Sequence, residues 1–170
     1  VMSIAPLHAF REATQASARV IERDGRRIGY VHVWASVGED SADALREALS
    51  KLGLSSRGSG RRSGEPAKLD GLIVDMRGRI GGTGSNAGRY LDILDARGPL
   101  VRSRNRDANR GSADVRKRTA VLIDHHTRST AELFVHAYKL ERQGPLIGTR
   151  TAGAVSAASA YAMPGGNLLY

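Results

Sequence analysis

Ser129 stands where a serine side chain can do chemistry. It follows the apolar run Val121-Leu122-Ile123 and the polar break Asp124-His125-His126-Thr127-Arg128. It opens the helical pattern Ala131-Glu132-Leu133-Phe134-Val135-His136-Ala137-Tyr138. A serine at such a strand-to-helix junction holds its hydroxyl at the sheet edge, and the N–H groups beside it lie at the positive end of a helix. Those are the needs of a nucleophile and of an oxyanion site. The same residue also has a structural use. Serine is a favoured N-cap, and Glu132 three residues later completes the spacing of a capping box. On this segment alone both roles stay open.

A second segment with chemical potential is the glycine-rich turn Arg77-Gly78-Arg79-Ile80-Gly81-Gly82-Thr83-Gly84-Ser85-Asn86-Ala87-Gly88. A dinucleotide fingerprint needs Gly-x-Gly-x-x-Gly directly after a strand and an acid at the end of the next one. Here the spacing is Gly82-x-Gly84-x-x-x-Gly88, and Asp92 and Asp95 fall on the following helix. A phosphate-binding P-loop needs Gly-Lys-Ser/Thr, and the turn has no lysine. What remains is a pair, Gly81-Gly82, that lets the backbone approach a ligand and aim a bare N–H at it, or that merely serves a tight turn. A hydroxyl from one loop and an N–H from another make up half of an acyl-transfer site.

The elements that must position these two loops can be read from periodicity. Residues 7–17 predict an amphipathic helix with Leu7, Phe10, Ala13 and Thr14 on one side. Residues 18–23 and 27–34 read as strands joined by Asp24-Gly25, a strong hairpin signal. His32 shares a strand face with Tyr30 and Trp34 and is expected to pack in the core. Ser41 opens a helix with Leu45, Leu49 and Leu52 on one stripe and Gly53 past its end. Strands at 72–76, 120–124 and 145–148 alternate with helices, and an extended stretch over 154–162 turns back through 164–167. Alternation of this kind predicts an α/β fold of βαβ units, with a mostly parallel sheet and an N-terminal hairpin. Both candidate loops then emerge at the carboxyl ends of strands, where such folds bind ligands.

Composition narrows the class. A chain of 170 residues suits one domain, residues 1–170. It begins with Val1 and ends inside an apolar pattern, and so reads as an excised core. No apolar run approaches the ~20 residues of a membrane span. Zero cysteines exclude a disulfide framework and a thiolate metal site, and no cofactor motif is present. The net charge of +9 comes mostly from arginine in residues 55–68, expected to be a flexible basic loop, and in residues 102–118. Neither segment interleaves aromatics, so no specific nucleic-acid partner is expected.

Four segments together resemble the carboxyl-terminal processing (tail-specific) serine peptidases, relatives of the tricorn protease core. Arg27-Ile28-Gly29-Tyr30-Val31-His32-Val33 is similar to the family's IGYI strand. Leu69 through Gly82 is similar to its GLILDLRxNxGG segment. Ser129-Thr130-Ala131-Glu132 matches SAxE, and Leu146 through Gly153 resembles VIGExTxG. They lie in the family's order over residues 18–170. The resemblance implies a crotonase-like core, Ser129 as nucleophile, and the backbone N–H groups of Gly82 and Thr130 as oxyanion hole. Gly81, His126 and Gly153 are candidates to line the site. It implies no cofactor, peptide or protein C-terminal segments as substrates, a periplasmic or secreted location, and room for homo-oligomers.

One departure affects the mechanism. Family members with a Ser-Lys dyad carry the lysine just after the T-x-G turn, where this chain has Ala154. The four lysines, Lys51, Lys68, Lys117 and Lys139, lie elsewhere. The resemblance then implies the tricorn-like branch, whose histidine and glutamate would lie outside this chain, or a member that has lost activity. His125 and His126 are the nearest bases in sequence, although loop or core roles fit them better. A non-catalytic peptide- or lipid-binding module on the same fold is the rival reading.

Overall fold

The computed structural model describes residues 6–54, 69–79, 81–94, 118–157 and 161–169. The basic loop expected at 55–68 and residues 102–117 lie outside the described residues. Helix α1 (Pro6–Ser17) leads into strands β1 (Arg19–Arg23) and β2 (Arg26–His32). Then follow α2 (Ser41–Lys51), β3 (Gly71–Asp75), α3 (Ser85–Ile93), β4 (Thr119–Ile123), α4 (Thr130–Leu140) and β5 (Leu146–Gly148). A small antiparallel pair, β6 (Tyr161–Ala162) and β7 (Leu168–Leu169), closes the described chain.

The main sheet has the order β1-β2-β3-β4-β5, with the first pair antiparallel and the others parallel. Asp24 (φ 50°) and Gly25 (φ 71°) turn the β1–β2 hairpin with both central residues left-handed, as a two-residue primed turn requires. Each later strand is laid beside its predecessor through one helix. With right-handed crossovers, sequential order puts α2, α3 and α4 on the same face, and these helices pack side by side there. Alternation along the strands builds the core. Val31, Val74 and Val121 are paired across three adjacent strands and are fully buried, facing Leu45, Leu49, Tyr90, Leu91 and Phe134 from the helices.

Helix α2 ends as its sequence suggests. Gly53 (φ 72°) donates to Ser50 O, and Leu54 N–H reaches back to Leu49 O, the two bonds of a Schellman motif. Two expectations change. His32 is not in the core: Val31 and Val33 take the buried face, while His32 stacks on Trp34 at 4.1 Å and Trp34 is 45% exposed. The alternation places 30, 32 and 34 on the face opposite the one that buries Val31 and Val33. Of the extended stretch expected over 154–162, residues 154–157 are not a strand, while 161–162 form β6. The backbone of residues 152–154 is bonded instead to the loops around Ser129, as described below.

Phe134→Ala should therefore lower the unfolding free energy by about 3–5 kcal/mol, and Trp34→Ala by much less. Urea denaturation of the two variants checks this, and equal losses would show that the core face has been misassigned.

Candidate active site

The site is built at the carboxyl ends of β3, β4 and β5, where three loops bond to one another in place of a continuing sheet. Thr127, in the loop after β4, donates its hydroxyl to Met76 O at 2.9 Å. Arg128 N–H donates to Arg79 O at 3.2 Å, and Ala152 N–H donates to Thr127 O at 3.0 Å. Asp124 starts this loop as a turn, its carboxylate accepting the N–H groups of Gly78, His126 and Thr127. Burial pushes the Asp124 carboxyl up, but these bonds more than offset it and hold it below the usual carboxylate range.

Ser129 sits at the junction with φ 55° and ψ −124°, a conformation that costs a residue with a Cβ about 1–3 kcal/mol. It persists because both sides of the residue are held. Its N–H is shared between Ala154 O at 3.0 Å and Glu132 Oε2 at 3.0 Å. The reach of Glu132 back to this N–H is the reciprocal half of the capping box expected from the sequence. Glu132, only 7% exposed, also accepts the N–H groups of Gly153 at 2.6 Å and Ala154 at 2.8 Å. Burial pushes the Glu132 carboxyl up. Hydrogen bonds from the Thr151 side chain and from the Gly153, Ala154 and Ser129 backbones more than offset that and hold it low.

The glycine turn meets Ser129 directly. A Cβ on Gly81 would lie 2.6 Å from Ser129 Cβ and 3.1 Å from its Oγ, so only glycine fits against the serine. Gly82 (φ 142°) presses instead on Ser36, in the loop after β2, whose carbonyl carbon would be 2.4 Å from an added Cβ. Ser36 brackets it, donating its N–H to Gly81 O at 3.0 Å and accepting from Thr83 N–H at 2.9 Å. Thr130 Oγ1 donates to Gly82 O at 2.7 Å, joining the first turn of α4 to the glycine loop. Among the described residues neither the Gly82 nor the Thr130 N–H has an acceptor.

Of the residues singled out in the sequence, Ser129, Gly81, Gly82, Thr130 and Gly153 thus come together. His126 does not join them through any contact among the described residues. It is exposed, its ring 3.8 Å from that of His125 and its Nδ1 3.7 Å from Asp124 Oδ2. No hydrogen bond links Ser129 to a histidine or lysine among the described residues. Asp124, His125 and His126 are the group of metal-ligating types that lie close together there, and the Asp124 carboxylate is already engaged in shaping its turn.

Residues 27–170 match the model of peptidase family S41. The chain belongs to that family. The photosystem II D1 C-terminal processing protease is 25% identical, with a TM-score of 0.59 over 75% of this chain and 32% of that one. The tricorn protease is 21% identical, with a TM-score of 0.50 over 91% of this chain and 13% of its own. A lipoprotein of Streptococcus agalactiae is 17% identical, with a TM-score of 0.54 over 94% of this chain and 59% of its own. Below 25% identity these likenesses concern the fold. The chain spans less than two thirds of each of these proteins. No curated protein matches it by sequence.

Several residues that shape this site carry no local signal. Ser36 and Ala154 act through backbone groups from loops distant in sequence, and Thr127 acts through one hydroxyl. Arg79 is wholly buried, its guanidinium 4.8 Å over the Tyr90 ring. Its neighbours in the chain read as an ordinary polar turn.

Two outcomes test this geometry. A carboxyl whose folded pKa is depressed contributes stability above the unfolded value of ~4.3, and that contribution is lost as pH falls through the folded value. Glu132→Gln should thus be less stable than the parent by about 1–3 kcal/mol at pH 7, with the gap narrowing below about pH 4 in thermal melts. A gap independent of pH would exclude a charged Glu132 as the tie. Ser129→Gly should be more stable than Ser129→Ala by about 1 kcal/mol, since both lose the hydroxyl and only glycine relaxes at this φ and ψ.

Proposed function

We propose that the chain is the core of a serine peptidase in which Ser129 Oγ attacks a peptide carbonyl. The observation that carries this reading is the junction itself. A serine in a strained conformation at a helix N-terminus lies against Gly81, and the Gly82 and Thr130 N–H groups have no acceptor among the described residues. Membership of a peptidase family supports the same chemistry.

In this mechanism a general base takes the hydroxyl proton as Oγ bonds to the carbonyl carbon. The carbonyl oxygen becomes an oxyanion held by the Gly82 and Thr130 N–H groups and by the positive end of α4. Collapse breaks the C–N bond, the base returns the proton to the departing amine, and water then releases the acyl group from Ser129 by the same steps. The base comes from a histidine outside this chain, as in the tricorn-like branch. Ala154, at the position where the resemblance would put a dyad lysine, supports this, since its backbone is hydrogen-bonded to Ser129 and its side chain carries no base. The substrates are peptide or protein C-terminal segments. The setting is periplasmic or secreted, as the resemblance implies.

In the complete protein, Ser129→Ala should abolish peptide turnover and leave the thermal midpoint within a few degrees. A fluorophosphonate probe should label the parent at Ser129 and leave the variant unlabelled. Unchanged turnover in Ser129→Ala would falsify the nucleophile assignment. Absence of both labelling and turnover in the parent would favour the binding-module alternative.

A further inference from the structure

Arg79 is the largest side chain entirely removed from solvent among the described residues, and no carboxylate there pairs with it. Its Nη2 donates to Tyr90 Oη at 2.9 Å, its Nη1 to Met76 Sδ, and its Nε has no partner. A buried cation without a counter-charge is destabilising, and an apolar side chain of similar volume would serve packing better. The arginine therefore calls for a use beyond filling space.

Its connections lead to both halves of the site. Through its main chain, Arg79 O accepts the N–H of Arg128, the residue preceding Ser129. Through its side chain it orients Tyr90 Oη, which shares a hydrogen bond at 3.4 Å with Ser36 Oγ. The Ser36 backbone brackets Gly82 by its bonds to Gly81 and Thr83, and Asn86 Nδ2 holds the same Ser36 carbonyl at 2.7 Å. A guanidinium suits this work because its fork is planar and always charged, so it fixes an acceptor in direction as well as in distance.

We propose that Arg79 is a positioning residue for acyl transfer, its main chain anchoring the Ser129 loop while its side chain, through Tyr90 and Ser36, sets the Gly82 N–H toward the developing oxyanion. The proposal rests on the serine-peptidase reading above.

The experiment is steady-state hydrolysis of a chromogenic peptide by the complete protein, with inhibition by a peptide aldehyde, which forms a tetrahedral adduct on a serine. Arg79→Met keeps volume and removes both charge and donors. It should lower kcat by roughly 10²-fold, the scale of losing one oxyanion donor, with KM within about threefold and aldehyde affinity falling in step with kcat. Tyr90→Phe keeps the ring and cuts the relay, and should show a smaller loss of the same kind. Arg79→Lys should recover part of it. Should Arg79→Met fail to fold, Tyr90→Phe decides. Parental kcat in the variants, or a loss confined to KM or to thermal stability, overturns the proposal while the peptidase reading stands. A parent protein that neither hydrolyses peptide nor takes a fluorophosphonate at Ser129 overturns both.

Discussion

Much of the site depends on one buried carboxylate. Glu132 accepts backbone N–H groups from Ser129, Gly153 and Ala154, and so joins the first turn of α4 to the loop after β5. Three convergent N–H donors are a favourable setting for a charged carboxylate and an unfavourable one for a neutral acid. The loop after β5 is otherwise poorly supported, with residues 152–157 exposed and bound to the fold by few backbone bonds. Without the Glu132 anion, the Ala154 carbonyl would have less reason to stay beside the Ser129 N–H.

That anchoring makes the strain at Ser129 tolerable. A positive φ in a residue with a Cβ survives only when its surroundings over-determine it. Here the residue before it is held by Arg79 O, its own N–H by two acceptors, and its side chain by close approach to Gly81. The next N–H, on Thr130, has no acceptor among the described residues. The conformation is similar in kind to the strand-to-helix turn of the α/β-hydrolase fold, where a sharp junction presents a serine. The glycine loop answers it with complementary geometry. Gly81 permits contact with the serine, and Gly82 permits contact with Ser36, each at a distance that any side chain would forbid.

The two faces of the sheet show how far pattern reading reaches. Val31, Val74 and Val121 align in one buried row because alternation and parallel register agree. His32 looked like a core residue because it lies among Tyr30, Val31, Val33 and Trp34. Alternation alone does not say which of two apolar faces the helices cover. The row with three helices packed on it buried Val31 and Val33 and left the aromatic row half open. The Asp24-Gly25 hairpin and the Gly53 helix end were legible for a different reason, since turns and caps are chemistry among near neighbours.

From sequence alone came the α/β class, the alternation of strands and helices, the two loops expected to form a site, and Ser129 as the residue where they would meet. These follow from local periodicity, from glycine and serine at junctions, and from four motif segments in order. Tertiary structure decided which glycine touches the serine, that Ser36 braces the other, that Glu132 ties three N–H groups, and that Arg79 lies buried beside Tyr90. Each of those contacts joins loops brought together only when parallel strands align their carboxyl ends. The physical reason is range. Propensity and capping act over a few residues, whereas a buried charge and a pair of unengaged N–H groups are defined by everything that packs around them.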